Sequence, residues 1–140
     1  METITTSIPP EFTAERQHQI EHEGWDDQHD AQQANGELLA AAVLYYQRAI
    51  GCAIPLREVV TREASPRQNL GRETKLVPAG WPWVEQWWKP GTPLQDVRRS
   101  GALCLAEINR LKSLGAHRSV ATVEHQLKLI IDTFNALTAS

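Results

Sequence analysis

Long apolar runs are missing from this 140-residue chain, and so are most residue patterns that metal or nucleophile chemistry needs. The longest apolar or aromatic stretch, Leu38 to Tyr46, covers nine residues. A bilayer span needs about 18, so no membrane partner is expected. Cysteine is nearly absent. Cys52 and Cys104 have no histidine neighbours, which excludes a zinc site and leaves both as small reduced hydrophobes. The sequence has no GxxxxGK[ST] loop and no GxGxxG. Ser100 precedes Gly101 inside a helical pattern, not at a strand-to-helix elbow. His18 is followed by Gln19, where a zinc protease would carry Glu. No cofactor and no catalytic residue is therefore assigned. METITTSIPPEF lacks the charged-then-apolar pattern of a signal peptide, so a cytoplasmic location is expected.

Basic balance is also missing. The net charge is −3, which argues against a general nucleic-acid binder. The charges are not evenly spread. Residues 11–37 hold eight acids and one base, whereas residues 48–118 hold twelve bases and six acids. The two halves are complementary, and the basic half is suited to an anion.

What is present reads as helix. The length fits one domain, with residues 1–12 a flexible N-terminus and 13–140 a single helical unit. The expected architecture is mostly α, four helices at about 13–23, 36–50, 93–113 and 120–138. A long irregular connection spans 51–92. Thr13 is the expected cap of the first helix and Ser119 of the last. The alanine-rich run of the second helix is apolar nearly all round and so is expected at the centre. Thr92-Pro93-Leu94-Gln95 combines a cap, a proline at the first helical position and a capping-box glutamine. Leu94, Val97, Gly101, Cys104, Leu105, Ile108 and Leu111 then recur at helical spacing. So do Val120, Val123, Leu127, Ile130, Ile131, Phe134 and Leu137. These two helices should pack on each other.

Four of the five tryptophans fall within WPWVEQWWKP, residues 81–90. If VEQWW makes a helical turn, Trp83 and Trp87 share a side and complete the core. Trp25, Trp81 and Trp88 are then left as aromatic surface beside Lys89, Arg98 and Arg99. An indole wall with a cationic rim suits a nucleotide, its base on the indole and its phosphate on the cations. A second titratable cluster, His18, His22, Glu23, Asp26, Asp27, His29 and Asp30, is read mainly as a solvated acidic surface. Asp27-x-x-Asp30 has the spacing of a magnesium-binding carboxylate pair, but no partner pair follows on later helices.

ERQHQIEHEGWDDQHD, GELLAAAVLYY, WPWVEQWWKP and DVRRSGALCLAEINRL, in that order, carry a resemblance. Together they resemble a widespread family of small phage and prophage accessory proteins, over about residues 14–50 and 81–112. Arg16, Tyr46, Gly101, Ala102 and Glu107 are among the residues that match. Ser100 stands where the family pattern has alanine. The resemblance implies an accessory phage gene acting in the host cytoplasm rather than a shell component, and brings no activity with it. Trp25, His29, Asp30, Glu37, Lys89 and Arg98 are the matching residues least accounted for by packing.

The leading expectation is a non-catalytic binder of a small anionic or nucleotide-like ligand, such as a host immune signal. Trp25, Trp81 and Trp88 would supply aromatic surface; Lys89, Arg98 and Arg99, charge; His29, Asp30 and Glu37, orientation. The second is an interaction module for a host protein, or a homodimer paired through the last helix. The third is a metal-dependent nucleotide hydrolase built on His22, Asp27, His29 and Asp30.

Overall fold

A computed structural model describes residues 8–24, 30, 33–62 and 73–139. Among the described residues four helices carry the fold: α1 (Pro10–Glu23), α2 (Glu37–Ala49), α3 (Pro93–Ser113) and α4 (His117–Thr138). Between α2 and α3 lie two strands, β1 (Leu56–Arg62) and β2 (Glu73–Pro78), and a 3₁₀ turn at Glu85–Trp87. The architecture is mostly α, as the periodicity predicts.

The capping box of α3 forms as expected. Thr92 Oγ1 accepts from the Gln95 amide, and the Gln95 side chain accepts from the Thr92 amide. The caps expected at Thr13 and Ser119 do not form. Helix α1 begins at Pro10, with Pro9 as its N-cap residue. A proline has the φ a first helical residue needs and no N–H to leave unsatisfied. Helix α4 begins at His117, because Gly115 at φ 70° turns the chain back at once.

The hub is α3, not α2. It touches α1, α2 and α4 and buries eleven residues. Helix α2 buries only Leu38, Ala41, Ala42 and Tyr45, one stripe at i, i+3, i+4 and i+7. Leu39 and Leu44 on its other side stay half-buried. A run that is apolar all round thus still lies at the edge. On α4 the buried seam runs from Val120 to Phe134, and Leu137 is exposed.

The ordered fold also starts earlier than residue 13. Phe12 is fully buried, edge-on to Phe134 of α4 with ring centres 5.2 Å apart. It fills the space where Gly101 of α3 has no side chain. A Cβ built on Gly101 would sit 2.2 Å from the Phe12 ring. Glycine is thus what lets α1 cross α3 so closely.

The 51–92 connection is less irregular than expected. Strands β1 and β2 pair antiparallel, with Leu56 opposite Pro78 and Val60 opposite Thr74. Of the described strand residues only Val77 and Pro78 are buried, while Leu56, Val60 and Leu76 are exposed. A hairpin with so little buried face leaves almost no period-two signal.

Gly101→Ala should destabilise the protein by about 1–3 kcal/mol, because the added methyl overpacks the Phe12 contact. The sign is diagnostic: at an open helical site the same change stabilises by up to ~1 kcal/mol. Urea unfolding of the two proteins decides it.

Candidate functional site

The tryptophan segment divides inward and outward. Trp81 and Trp88 are interior, 5% and 3% exposed. Trp88 stacks on Tyr45 at 4.6 Å, and Trp81 meets both rings edge-on, at 5.8 Å from Tyr45 and 5.0 Å from Trp88. Trp83 and Trp87 are only half-buried. This reverses the expected sorting, which put Trp83 and Trp87 in the core and Trp81 and Trp88 on the wall. That sorting rested on a helical turn. The backbone is instead extended at Val84 and Trp88, with only a 3₁₀ turn between, so i,i+4 register never forms.

Trp83 and Trp87 line a cavity of about 690 Å³ with Glu23, Arg57, Pro82, Val84 and Glu85. The Trp83 indole N–H donates to Gln33 Oε1 at 2.7 Å, which fixes one wall. Lys75 of β2 fixes the turn: its ammonium donates to the carbonyls of Glu85 at 2.8 Å and Trp88 at 2.6 Å.

The Lys89–Gly91 stretch is tied to the helices by three side chains. Tyr45 Oη accepts from the Lys89 amide at 2.9 Å and donates to the Trp87 carbonyl at 3.4 Å. Burial pushes this phenol up to about 12, so it stays neutral and can do both. Asp96 Oδ1 accepts from the Gly91 amide at 2.8 Å. Arg48 pairs with the other Asp96 oxygen and donates to the Gly91 carbonyl at 2.7 Å. Asp96 is fully buried. Burial raises its carboxyl above the ordinary value, against the Gly91 amide and Arg48, which lower it.

This loop brings the three expected cations together. Lys89 from the loop and Arg98 and Arg99 from α3 line one recess of about 360 Å³, with Glu15, Pro90, Gly91 and Gln95. Arg99 Nη1 donates to Glu23 Oε1 at 3.2 Å, lies 3.8 Å from Glu15 Oε2, and its guanidinium stands over Tyr45. Lys89 Nζ is 3.9 Å from Glu23 Oε1 and lies over the Trp87 ring at 5.2 Å. Arg98 Nε is buried and donates to nothing. Burial raises the Glu15 carboxyl, with Arg99 the main opposing charge. The two hollows adjoin: Glu23 and Trp87 line the larger, and Lys89 of the smaller touches both.

The remaining candidates fall elsewhere. Asp30 is buried in an ion pair with Arg16. Glu37 accepts from the Asn35 amide at 2.7 Å and secures the start of α2. Both have structural duties. Glu107, another motif residue, makes a two-pronged pair with Arg110 at 2.7 and 2.9 Å. Trp25, Asp27 and His29 lie outside the described residues. Among the described residues no three His, Cys, Asp or Glu side chains group to hold a metal. Nor is any helix long and apolar enough to cross a membrane. Cys104 is buried, which pushes its thiol up to about 12 and leaves it inert.

Sequence reasoning did not single out Glu15, Tyr45, Arg57 or Asp96 for the site and counted Glu23 as acidic surface. One signal was available. Glu15, Gln19 and Glu23 recur every four residues on α1, on the same side as Phe12, so this helix buries polar residues against α3. No family model, curated protein or solved structure matches the chain.

Two substitutions test this construction. Trp88→Ala should cost ~3–5 kcal/mol in unfolding measurements, as for other buried aromatics; a loss below ~1 kcal/mol would place the indole in solvent. Arg48→Ala leaves buried Asp96 without its cation and should cost about 1–3 kcal/mol at neutral pH. Losing Arg48 raises the Asp96 carboxyl further, so the unpaired charge disappears on protonation. The penalty should therefore shrink as pH falls through that raised value.

Proposed function

We propose that this chain is a phage-encoded accessory protein that holds a small anionic, nucleotide-like ligand without catalysis. One observation carries the reading. Lys89, Arg98 and Arg99, from two separate segments, share a recess that adjoins an indole-lined cavity. Volumes of this order are typical of ligand sites, which run ~300–1,000 Å³. Trp83 and Trp87 give that cavity indole walls, the kind of surface a planar ring favours. Trp81 and Trp88 back them from inside. The cations take the anionic part, and Arg98 Nε is a donor still without an acceptor. Glu15 and Glu23 hold Arg99 in place before the ligand arrives.

The resemblance to phage accessory proteins supports a setting in host cytoplasm and a host immune signal as the ligand. A second reading, an interaction module for a host protein or a second copy, draws on the hairpin. Leu56 and Leu76 are 52% and 59% exposed there. Gel filtration with light scattering separates the two, because a dimer built on that face would depend on Leu76.

Calorimetric titration with nucleoside phosphates tests the leading reading. Wild type should bind, binding should weaken with salt, and chelators should not matter. Arg98→Ala and Lys89→Ala should each weaken binding about ten- to hundredfold, the effect of losing one hydrogen bond to a charged group. Unfolding midpoints should stay near wild type. Tight binding that ignores both substitutions would move the site elsewhere.

A further inference from the structure

Among the described residues the recess of Lys89, Arg98 and Arg99 has one carboxylate on its wall, Glu15 of α1. Its side chain is 19% exposed. Oε2 is buried, 3.8 Å from Arg99 Nη1, and accepts no hydrogen bond. Oε1 is neither buried nor hydrogen-bonded to a described residue, so it is the oxygen a bound molecule reaches. A carboxylate that served only to neutralise these cations would take a hydrogen bond from one of them. Arg99 gives its hydrogen bond to Glu23 instead, at 3.2 Å, and Arg98 Nε gives none. Glu15 therefore stands among cations as an acceptor still open.

We infer that Glu15 makes the recess take its anion together with a proton: a phosphate group whose P–OH donates to Glu15 Oε1, rather than an anion without a proton, such as a sulfate or a phosphate diester. This rests on the ligand-binding reading above and names the anion that the cations meet. An ionised carboxylate only accepts hydrogen bonds, so it repels an oxygen that cannot donate. A P–OH turns that repulsion into a charge-assisted hydrogen bond, while the other phosphate oxygens accept from the cations. A phosphate monoester holds its last proton up to about pH 6, within reach of neutral conditions, whereas sulfates and diesters hold one only in strong acid. Burial raises the Glu15 carboxyl, against Arg99, His18 and Arg98, and Glu23 adds to the rise. A proton shared between Glu15 and the anion is thus held readily. The glutamate sets the chemical class of the anion, and the cations set its place.

The test is calorimetric titration at about pH 8, where inorganic phosphate and sulfate are dianions of similar size and only phosphate keeps a proton. Wild type should bind phosphate about ten- to hundredfold more tightly than sulfate, the effect of one charge-assisted hydrogen bond. Glu15→Gln should bring the two ions within about twofold of each other, because an amide donates as well as accepts. Equal binding of the two ions to wild type, or a preference that survives Glu15→Gln, overturns the inference and leaves the anion site standing. If wild type binds neither ion nor AMP, the underlying reading falls and this one with it. Should the variant unfold, monofluorophosphate takes its place with wild type. It is a phosphate dianion with fluorine where the P–OH was, and should bind as weakly as sulfate; fluorophosphate as tight as phosphate overturns the inference. Free phosphate and a phosphate monoester share this chemistry, and AMP tells them apart: it binds more tightly than the free ion if an ester is the ligand, and no better if the free ion is.

Discussion

A carboxylate with no solvent contact holds the tryptophan-rich loop against the start of α3. Asp96 takes the Gly91 amide on one oxygen and Arg48 on the other, while Arg48 also reaches the Gly91 carbonyl. A buried charge of this kind is tolerated only when its partners are in place. The backbone after Trp88 therefore cannot drift without leaving Asp96 unpaired. Tyr45 adds a second tie two residues earlier, through the Lys89 amide. With the loop fixed at both points, Trp81 and Trp88 stay packed on Tyr45, and Trp83 and Trp87 are left to wall the cavity. Lys89 is held beside Arg99 by the same ties.

The electrostatics of the site follow from which helix lends which charge. Helix α3 and the loop supply Lys89, Arg98 and Arg99. Helix α1 supplies Glu15 and Glu23 from the strongly acidic N-terminal part of the chain. The charge asymmetry of the sequence is thus realised as contact between α1 and α3. Contact is incomplete, since Arg99 and Lys89 reach the two carboxylates while Arg98 Nε has no acceptor. A half-neutralised cationic recess avoids the repulsion of three unpaired cations and keeps capacity for one more anion. For the anionic ligand proposed above, that would leave little reorganisation to be done on binding.

How much of this was legible depended on whether each feature is local. The capping box of α3 and the apolar faces of α3 and α4 were readable, because periodicity and caps lie within a few residues. The meeting of Lys89 with Arg98 and Arg99 was readable for the same reason: a short link and one helical turn separate them. The sorting of the tryptophans was not. It depends on extended backbone at Val84 and Trp88, and four indoles in ten residues carry no sign of it. Helix α1 carries little apolar signal, because its inward face is made of Glu15, Gln19 and Glu23 and only Phe12 is conspicuously apolar. The hairpin was missed because its strands bury almost nothing.

The distribution of unsatisfied polar atoms argues where function lies. Among the described residues, the buried side-chain atoms without a hydrogen bond are Glu15 Oε2, both amide atoms of Gln19, Glu23 Oε2 and Arg98 Nε. All lie along the seam between α1 and α3. Each such group costs on the order of 1–3 kcal/mol. The apolar packing of α3 with α2 and α4 contains none, so the fold is locally consistent there and locally inconsistent on one side only. Departures of this kind are expected at functional sites rather than scattered through a scaffold. Most of the resembling motif residues are also accounted for by scaffold duties: Arg16 with Asp30, Glu107 with Arg110, Glu37 at the start of α2, Gly101 beneath Phe12. Arg98 is left over, and it lines the recess at that seam, whereas the exposed hairpin face has only its apolarity to recommend it.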